Sequence, residues 1–227
     1  MRTTRRLLAT FGTVAIIALA SAPGCGADDE PQRLECVGEQ CNLSCENAEV
    51  FCGATCTQGA DCDLDCNGAD CALDCGSKSN CSADCTLAGG CDASCQGQSS
   101  CNVDCTGTGD CNLDCAGGSD CNVECKENCG GGCTGNSNCG MNCEQGCDIG
   151  CTGNGTCALT CKTNCFVCCS GSGTCSLECS EAELIECPGA NGSEKILVCG
   201  RECPDPSACT YGAPSSSDPP GDEPLPG

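Results

Sequence analysis

Cys101-Asn-Val-Asp-Cys105, Cys111-Asn-Leu-Asp-Cys115 and Cys121-Asn-Val-Glu-Cys125 are three copies of one five-residue unit, joined by Thr106-Gly-Thr-Gly-Asp110 and Ala116-Gly-Gly-Ser-Asp120. Within each unit the first, third and fifth residues are Cys, aliphatic and Cys, and the second and fourth are polar or acidic. That is the period-2 alternation of a β-strand with one buried face. The interior of the unit keeps three residues while the joining segment varies in length. The unit is therefore the structural element, and the Gly- and Asn-rich connector supplies the turn. A helix is disfavoured, because glycines interrupt the chain at every turn and apolar residues do not recur at spacings of three and four.

Outward from this stretch the unit recurs from Cys41 to Cys179, fifteen copies in all. Its third position reads Leu43, Ala54, Leu64, Leu73, Ala83, Ala93, Val103, Leu113, Val123, Gly131, Met141, Ile149, Leu159, Val167, Leu177, broken only by Gly131. Up to Cys125 the period is close to ten residues. Beyond it, short connectors (Lys126-Glu-Asn128, Glu144-Gln-Gly146, Lys162-Thr-Asn164) alternate with long ones, giving an 18-residue super-period that starts at Cys121, Cys139 and Cys157 and reaches Cys175.

The expected fold class is mainly β and irregular: a disulfide-rich narrow repeat solenoid of about fifteen short coils. At about 4.8 Å between neighbouring strands it would be a rod roughly 70 Å long. In its sulfur-filled interior this resembles the beetle antifreeze proteins, small β-helices stapled by disulfides. Their repeat is twelve residues long and carries an outward Thr-x-Thr ladder, which only Thr55-Cys-Thr57 and Thr106-Gly-Thr108 echo here, so the resemblance does not extend to ice binding. The alternation equally permits a cysteine-stapled antiparallel meander, with each unit paired to the next through a hairpin.

Bonded cysteines keep their Cα atoms about 4.4 to 6.8 Å apart, whereas the two cysteines of one extended unit stand about 13 Å apart. Pairing is expected across connectors, as in Cys75 to Cys81 or Cys105 to Cys111, or between adjacent coils; Cys85, Cys91, Cys95, Cys101, Cys115 and Cys121 are candidates of the same kind. A tight turn inside the unit would instead allow Cys101 to pair with Cys105. Spacing alone leaves the connectivity open.

Arg2, Arg5 and Arg6 precede the apolar run from Leu7 to Ala20, and small residues follow. That is the pattern of a secretory signal peptide, so export is expected. Ala22-Pro-Gly-Cys25 resembles the lipobox of bacterial lipoproteins, which implies cleavage before Cys25 and its acylation, and Gly26 then implies sorting to the outer membrane. Ordinary cleavage after Ala20 or Ala22 is the alternative. With Cys25 modified, 36 of the 37 cysteines remain, an even number as complete pairing requires. The boundaries read as signal peptide 1–24, lipid-anchored tether 25–35, repeat array 36–179, a C-terminal cap 180–211 around Ile196-Leu-Val198, and a disordered Pro- and Ser-rich tail 212–227.

Composition narrows the function classes. Removing Arg2, Arg5 and Arg6 with the leader leaves six basic residues against thirty-two acidic ones, a formal charge of −26 that excludes nucleic acid as a partner. The chain has no His and no Trp, so a His-dependent triad or metallohydrolase is excluded and an ordinary aromatic core cannot form; enzyme activity is not expected. Thiolate chelation conflicts with an oxidising compartment. The acids are more regular. Asp65, Asp74, Asp84, Asp104, Asp114 and Glu124 share the outward fourth position, and Asp61, Asp70, Asp110 and Asp120 directly precede a unit. On a solenoid each set becomes a ladder, either a plain solvated face or a site for Ca²⁺, the one cofactor the sequence suggests. Gly107-Thr-Gly-Asp110 is similar to the calcium-binding repeat of repeat-in-toxin proteins, although period and Asp placement differ. The expected function is an exported, lipid-anchored surface scaffold presenting an acidic rod to a membrane-proximal or cell-surface partner. The alternatives are a Ca²⁺-binding surface protein and a secreted inhibitor or toxin-like module.

Overall fold

The structure is a computed structural model and describes residues 32–45, 51–67, 70–107, 110–189 and 194–204. Every regular element among them is a strand. In chain order these are β1 (Gln32–Val37), β2 (Gln40–Cys45), β3 (Cys52–Thr57), β4 (Asp61–Cys66), β5 (Asp70–Cys75), β6 (Asn80–Asp84), β7 (Gly90–Cys95), β8 (Ser100–Cys105) and β9 (Asp110–Cys115). They continue as β10 (Asp120–Glu127), β11 (Gly130–Cys133), β12 (Asn138–Gln145), β13 (Asp148–Gly153), β14 (Thr156–Thr163), β15 (Cys165–Gly171), β16 (Thr174–Cys179), β17 (Leu184–Pro188) and β18 (Glu194–Cys199).

Consecutive units do not pair with each other. Odd-numbered strands from β1 to β15 form one parallel sheet and even-numbered strands from β2 to β16 the other, so two units make one coil. This parallel pairing settles the choice in favour of the solenoid over the antiparallel meander. It also corrects the coil count. The even sheet runs Cys41, Cys62, Cys81, Cys101, Cys121, Cys139, Cys157 and Cys175 in register, seven turns in place of fifteen. At about 4.8 Å per strand the stacked strands span about 34 Å, half the expected length. The 18-residue super-period is the coil itself. β1 also adds a degenerate sixteenth unit, with Leu34 beside Ala54 and Cys36 beside Cys56; residues 32–35 thus belong to the solenoid and not to the tether.

The core lies between the sheets and consists of the first, third and fifth positions. Leu73, Leu113, Ile149, Leu159 and Val167 are fully buried among the cysteines. Gly131 keeps its place in the column for a steric reason, since a Cβ there would stand 2.8 Å from the Leu113 carbonyl oxygen.

Each connector turns the chain from one sheet to the other, and a disulfide closes each corner. From odd to even strands the staples are Cys36–Cys41, Cys56–Cys62, Cys75–Cys81, Cys95–Cys101, Cys115–Cys121, Cys133–Cys139, Cys151–Cys157 and Cys169–Cys175. From even to odd they are Cys45–Cys52, Cys66–Cys71, Cys85–Cys91, Cys105–Cys111, Cys125–Cys129, Cys143–Cys147 and Cys161–Cys165. The expected pairing across connectors is the one found, and pairing within a unit, as between Cys101 and Cys105, is not. Four odd-to-even corners, Gln58-Gly59, Ser77-Lys78, Gly97-Gln98 and Gly117-Gly118, have two successive residues at positive φ, the signature of a type I′ turn, and the other four have one, at Gly38, Gly135, Gly153 and Gly171. The three-residue even-to-odd corners use one, at Asn128, Gly146 and Asn164, residue types that tolerate the left-handed region.

A ladder of buried serines, Ser79, Ser99, Ser119 and Ser137, runs up the odd-to-even corner. The Ser119 hydroxyl donates to the Ala116 carbonyl at 2.8 Å and accepts the Ser99 amide at 3.2 Å, and the Ser119 amide in turn donates to Ser137 Oγ. Ser119→Ala should cost about 1 to 3 kcal/mol, because the buried Ser99 amide loses its acceptor; a lowered denaturant midpoint with an unchanged slope would show it.

At the C-terminal end, β18 pairs antiparallel with β15, and β17 pairs antiparallel with β18. Cys179–Cys199 and Cys187–Cys203 tie this hairpin down. The alternation fails here for a physical reason: β15 and the Ile196-Leu-Val-Cys199 run are buried on both faces, and Phe166, Cys168, Cys187, Ile196 and Val198 form a second small core outside the odd sheet. Cys168, which interrupts the unit pattern beside Cys169, is disulfide-bonded.

Candidate functional site

Outward positions are set by strand parity, so the coil of two units sorts the acids into two faces. On the even sheet Asp65, Asp84, Asp104 and Glu124 stand side by side in one uninterrupted fourth-position ladder, flanked by Ser44 and Asn142. On the odd sheet Asp74 and Asp114 are separated by Ser94. The single six-acid ladder expected from the sequence therefore becomes a run of four and a separated pair.

The acids that precede a unit do not form a ladder. Asp61 and Asp120 lie on the even sheet with Asn80 and Ser100 between them, and Asp70 and Asp110 lie on the odd sheet with Gly90 between them. Neighbouring amides complement two of them: Asn80 Nδ2 donates to Asp61 Oδ1 at 2.8 Å, and Asn138 Nδ2 to Asp120 Oδ1 at 2.7 Å. These are ladder hydrogen bonds between coils, a structural use of the carboxylates that a linear sequence does not display.

Within the run of four, Asp84 Oδ1 accepts the Thr86 hydroxyl at 2.7 Å and amide at 3.1 Å, and Asp104 Oδ1 accepts the corresponding Thr106 groups at 2.8 and 3.0 Å. One oxygen of each carboxylate is thereby fixed by its own corner. Further along the same face an open groove is lined by Glu124, Asn142, Thr160, Lys126, Glu144 and Lys162. Lys162 Nζ donates to Glu144 at 2.9 Å, which holds the Glu144 carboxyl below its ordinary range and Lys162 above its own. On the odd face, burial and then the Asp92 charge push the Asp114 carboxyl up.

The stacked cysteines also bring sulfurs together in threes, for example Cys56, Cys62 and Cys81. Each such group contains a closed staple, so it offers no set of free thiolates. Cys25 lies outside the described residues, as do the signal peptide and the tail. No family model, no curated protein and no solved structure matches the chain. Its function must be read from these faces and corners alone.

One ionisable group stands apart. Asp148 on β13 sits beside Phe166, and Arg201, just beyond β18, meets it at 3.2 Å while its guanidinium lies 4.8 Å from the Phe166 ring centroid. Partial burial outweighs the Arg201 charge and the Phe166 amide and raises the Asp148 carboxyl to about 6. A folded-state value above the ordinary one means that ionisation opposes folding. The cost is absent below about pH 4, grows as pH rises towards 6 and is complete above it. Asp148→Asn should therefore stabilise the cap at pH 7 by about 1 kcal/mol, after discounting for a side chain that is 44% exposed. The gain should vanish on acidification to pH 4, as read by unfolding midpoints across pH.

Proposed function

We propose that the chain is an exported surface scaffold, anchored through acylated Cys25 and presenting a short, rigid, acidic rod to a partner. The observation that carries this reading is the stapling: seventeen disulfides join described cysteines, closing the corners of the solenoid along both edges and tying down the cap. Such a density belongs to an oxidising, extracytoplasmic environment. It also gives what a spacer needs, because each staple bridges a connector, so a proteolytic cut in a turn leaves the two strands it joins covalently linked. The leader from Arg2 to Ala20 and the Ala22-Pro-Gly-Cys25 stretch support the address, and the odd total of 37 cysteines leaves one over from complete internal pairing. The test is the mass of the intact mature chain from its native host, with thiol labelling. The expected result is a diacylglyceryl-modified Cys25 and no free thiol. An unmodified chain released to the medium would favour the inhibitor or toxin-like module.

The uninterrupted Asp65, Asp84, Asp104, Glu124 ladder supports a second reading, in which the even face binds Ca²⁺ through carboxylate oxygens of successive coils. Under that reading Ca²⁺ at a hundred times its dissociation constant stabilises the fold by about 2.7 kcal/mol. Mg²⁺ should not reproduce the shift, and Asp104→Asn should abolish it. Equal, small effects of both ions would leave the ladder as a solvated face.

A further inference from the structure

The odd-to-even staples form a single column along one edge of the rod, and the register places each cysteine directly beside its counterpart in the next coil. Cys75 stands beside Cys95 and Cys36 beside Cys56 on the odd sheet, and Cys62 beside Cys81 on the even sheet. The sulfurs of different staples are close. Cys81 Sγ lies within 4.8 Å of both sulfurs of Cys56–Cys62, and Cys75 Sγ within 4.8 Å of both sulfurs of Cys95–Cys101. Parallel strands about 4.8 Å apart also place the Cα atoms of such neighbours inside the range a disulfide accepts.

We propose that this column is a thiol–disulfide exchange relay, which passes one thiolate along the rod between Cys41 and Cys175. Each step is isoelectronic. A thiolate attacks the neighbouring sulfur in the next coil, a new S–S bond forms between coils, the old corner bond breaks, and its other sulfur leaves as the next thiolate. When a small thiol attacks the partly exposed Cys41, it forms a mixed disulfide there and releases Cys36. Cys36 then bonds Cys56 and frees Cys62, Cys62 bonds Cys81 and frees Cys75, and Cys75 bonds Cys95 and frees Cys101. Cys101 bonds Cys121 and frees Cys115, Cys115 bonds Cys133 and frees Cys139, Cys139 bonds Cys157 and frees Cys151, and Cys151 bonds Cys169 and frees Cys175. Cys41 and Cys175 are the two partly exposed members of the column, and the cysteines between them are buried. Burial disfavours the thiolate, so the reactive, accessible form of the thiol is populated at the partly exposed ends. Thiol chemistry thus enters and leaves the rod at its ends, and a staple opened in the interior is exported as a thiol at one end.

The strand parity makes the test directional. In Cys101→Ser the orphaned Cys95 can reach an exposed end only towards Cys41, leaving Cys75–Cys95, Cys62–Cys81 and Cys36–Cys56 bonds behind. In Cys95→Ser the orphaned Cys101 can reach one only towards Cys175, leaving Cys101–Cys121, Cys115–Cys133, Cys139–Cys157 and Cys151–Cys169. Maleimide labelling of each folded variant, followed by peptide mapping, should find the label predominantly on Cys41 in the first and on Cys175 in the second, because the reagent reaches the partly exposed ends and not the buried orphan. Label confined to Cys95 or Cys101 with the original staples intact would overturn the relay, and so would label scattered over both columns. The unaltered chain supplies a measurement that needs no variant. Treated with a trace of N-acetylcysteine at pH 8, it should carry the mixed disulfide on Cys41 and a free thiol on Cys175 of the same molecule. A thiol that remains on Cys36 refutes the proposal.

Discussion

Reduction of the disulfides without denaturant should unfold the rod, seen as loss of the strand signal in circular dichroism and of amide protection in hydrogen exchange. The interior offers little else. Each coil buries two third-position side chains, several of them alanine (Ala54, Ala83 and Ala93), and Gly131 contributes none. A corner staple joining cysteines four to seven positions apart stabilises by about 2 kcal/mol through restriction of the unfolded chain, and net stabilities of domains are only about 5 to 15 kcal/mol. The staples are coupled and their contributions do not add, yet even a few exceed the margin. Reduction should start at the rod ends, because Cys41, Cys175 and Cys179 are the partly exposed members of the sulfur core. Retention of the fold after full reduction and alkylation would mean that the ladder hydrogen bonds alone suffice, and would remove the structural reason for so many cysteines.

Gly153→Ala should destabilise by about 3 kcal/mol or more, combining a left-handed backbone with a direct clash. Gly135, Gly153 and Gly171 occupy one position in successive odd-to-even corners, with φ of 75°, 95° and 97°. A Cβ on Gly153 would run into the Gly135 carbonyl oxygen, and one on Gly171 would come within 2.6 Å of the Gly153 carbonyl oxygen. The backbone of the next coil occupies the space a side chain needs, so neither rotamer change nor staple can relieve it. For a chain of this size the expected fall in Tm is about 6 to 12 °C, and Gly59→Ala, where φ is 77° but nothing lies within 4 Å, should cost clearly less. Equal losses at the two positions would show that φ alone, and not coil contact, sets the requirement.

The strands themselves were legible because side-chain alternation and cysteine spacing are local. A unit such as Cys111-Asn-Leu-Asp-Cys115 cannot bury both its cysteines and Leu113 in any other regular conformation, and the reach of an extended unit forbids an internal disulfide. Staples across connectors were one pairing that this reach allows, and the structure chose them over pairing between adjacent coils. The number of units per coil was not legible, because a repeat states how long a strand is and not which strand it pairs with. The clue was the alternation of three- and five-residue connectors after Cys125. Connectors of two alternating lengths imply two kinds of corner, and so two turns per coil. Without that step the six fourth-position acids fall on one ladder, and nothing local marks the serines at 79, 99, 119 and 137 as stacked partners.

The sequence by itself determined that this chain is a series of short, one-sided β-strands whose buried faces carry the cysteines, since alternation and spacing are properties of a few neighbouring residues. Only the tertiary structure decided that successive strands fall on opposite sheets and that the disulfides cross the turns between them. From that follow the seven coils, the isolation of Asp74 from Asp114, the run from Asp65 to Glu124 and the single file of sulfurs from Cys41 to Cys175. The physical reason is that these arrangements depend on contacts between residues about 18 to 20 positions apart, which backbone hydrogen bonds between coils fix and no local pattern encodes.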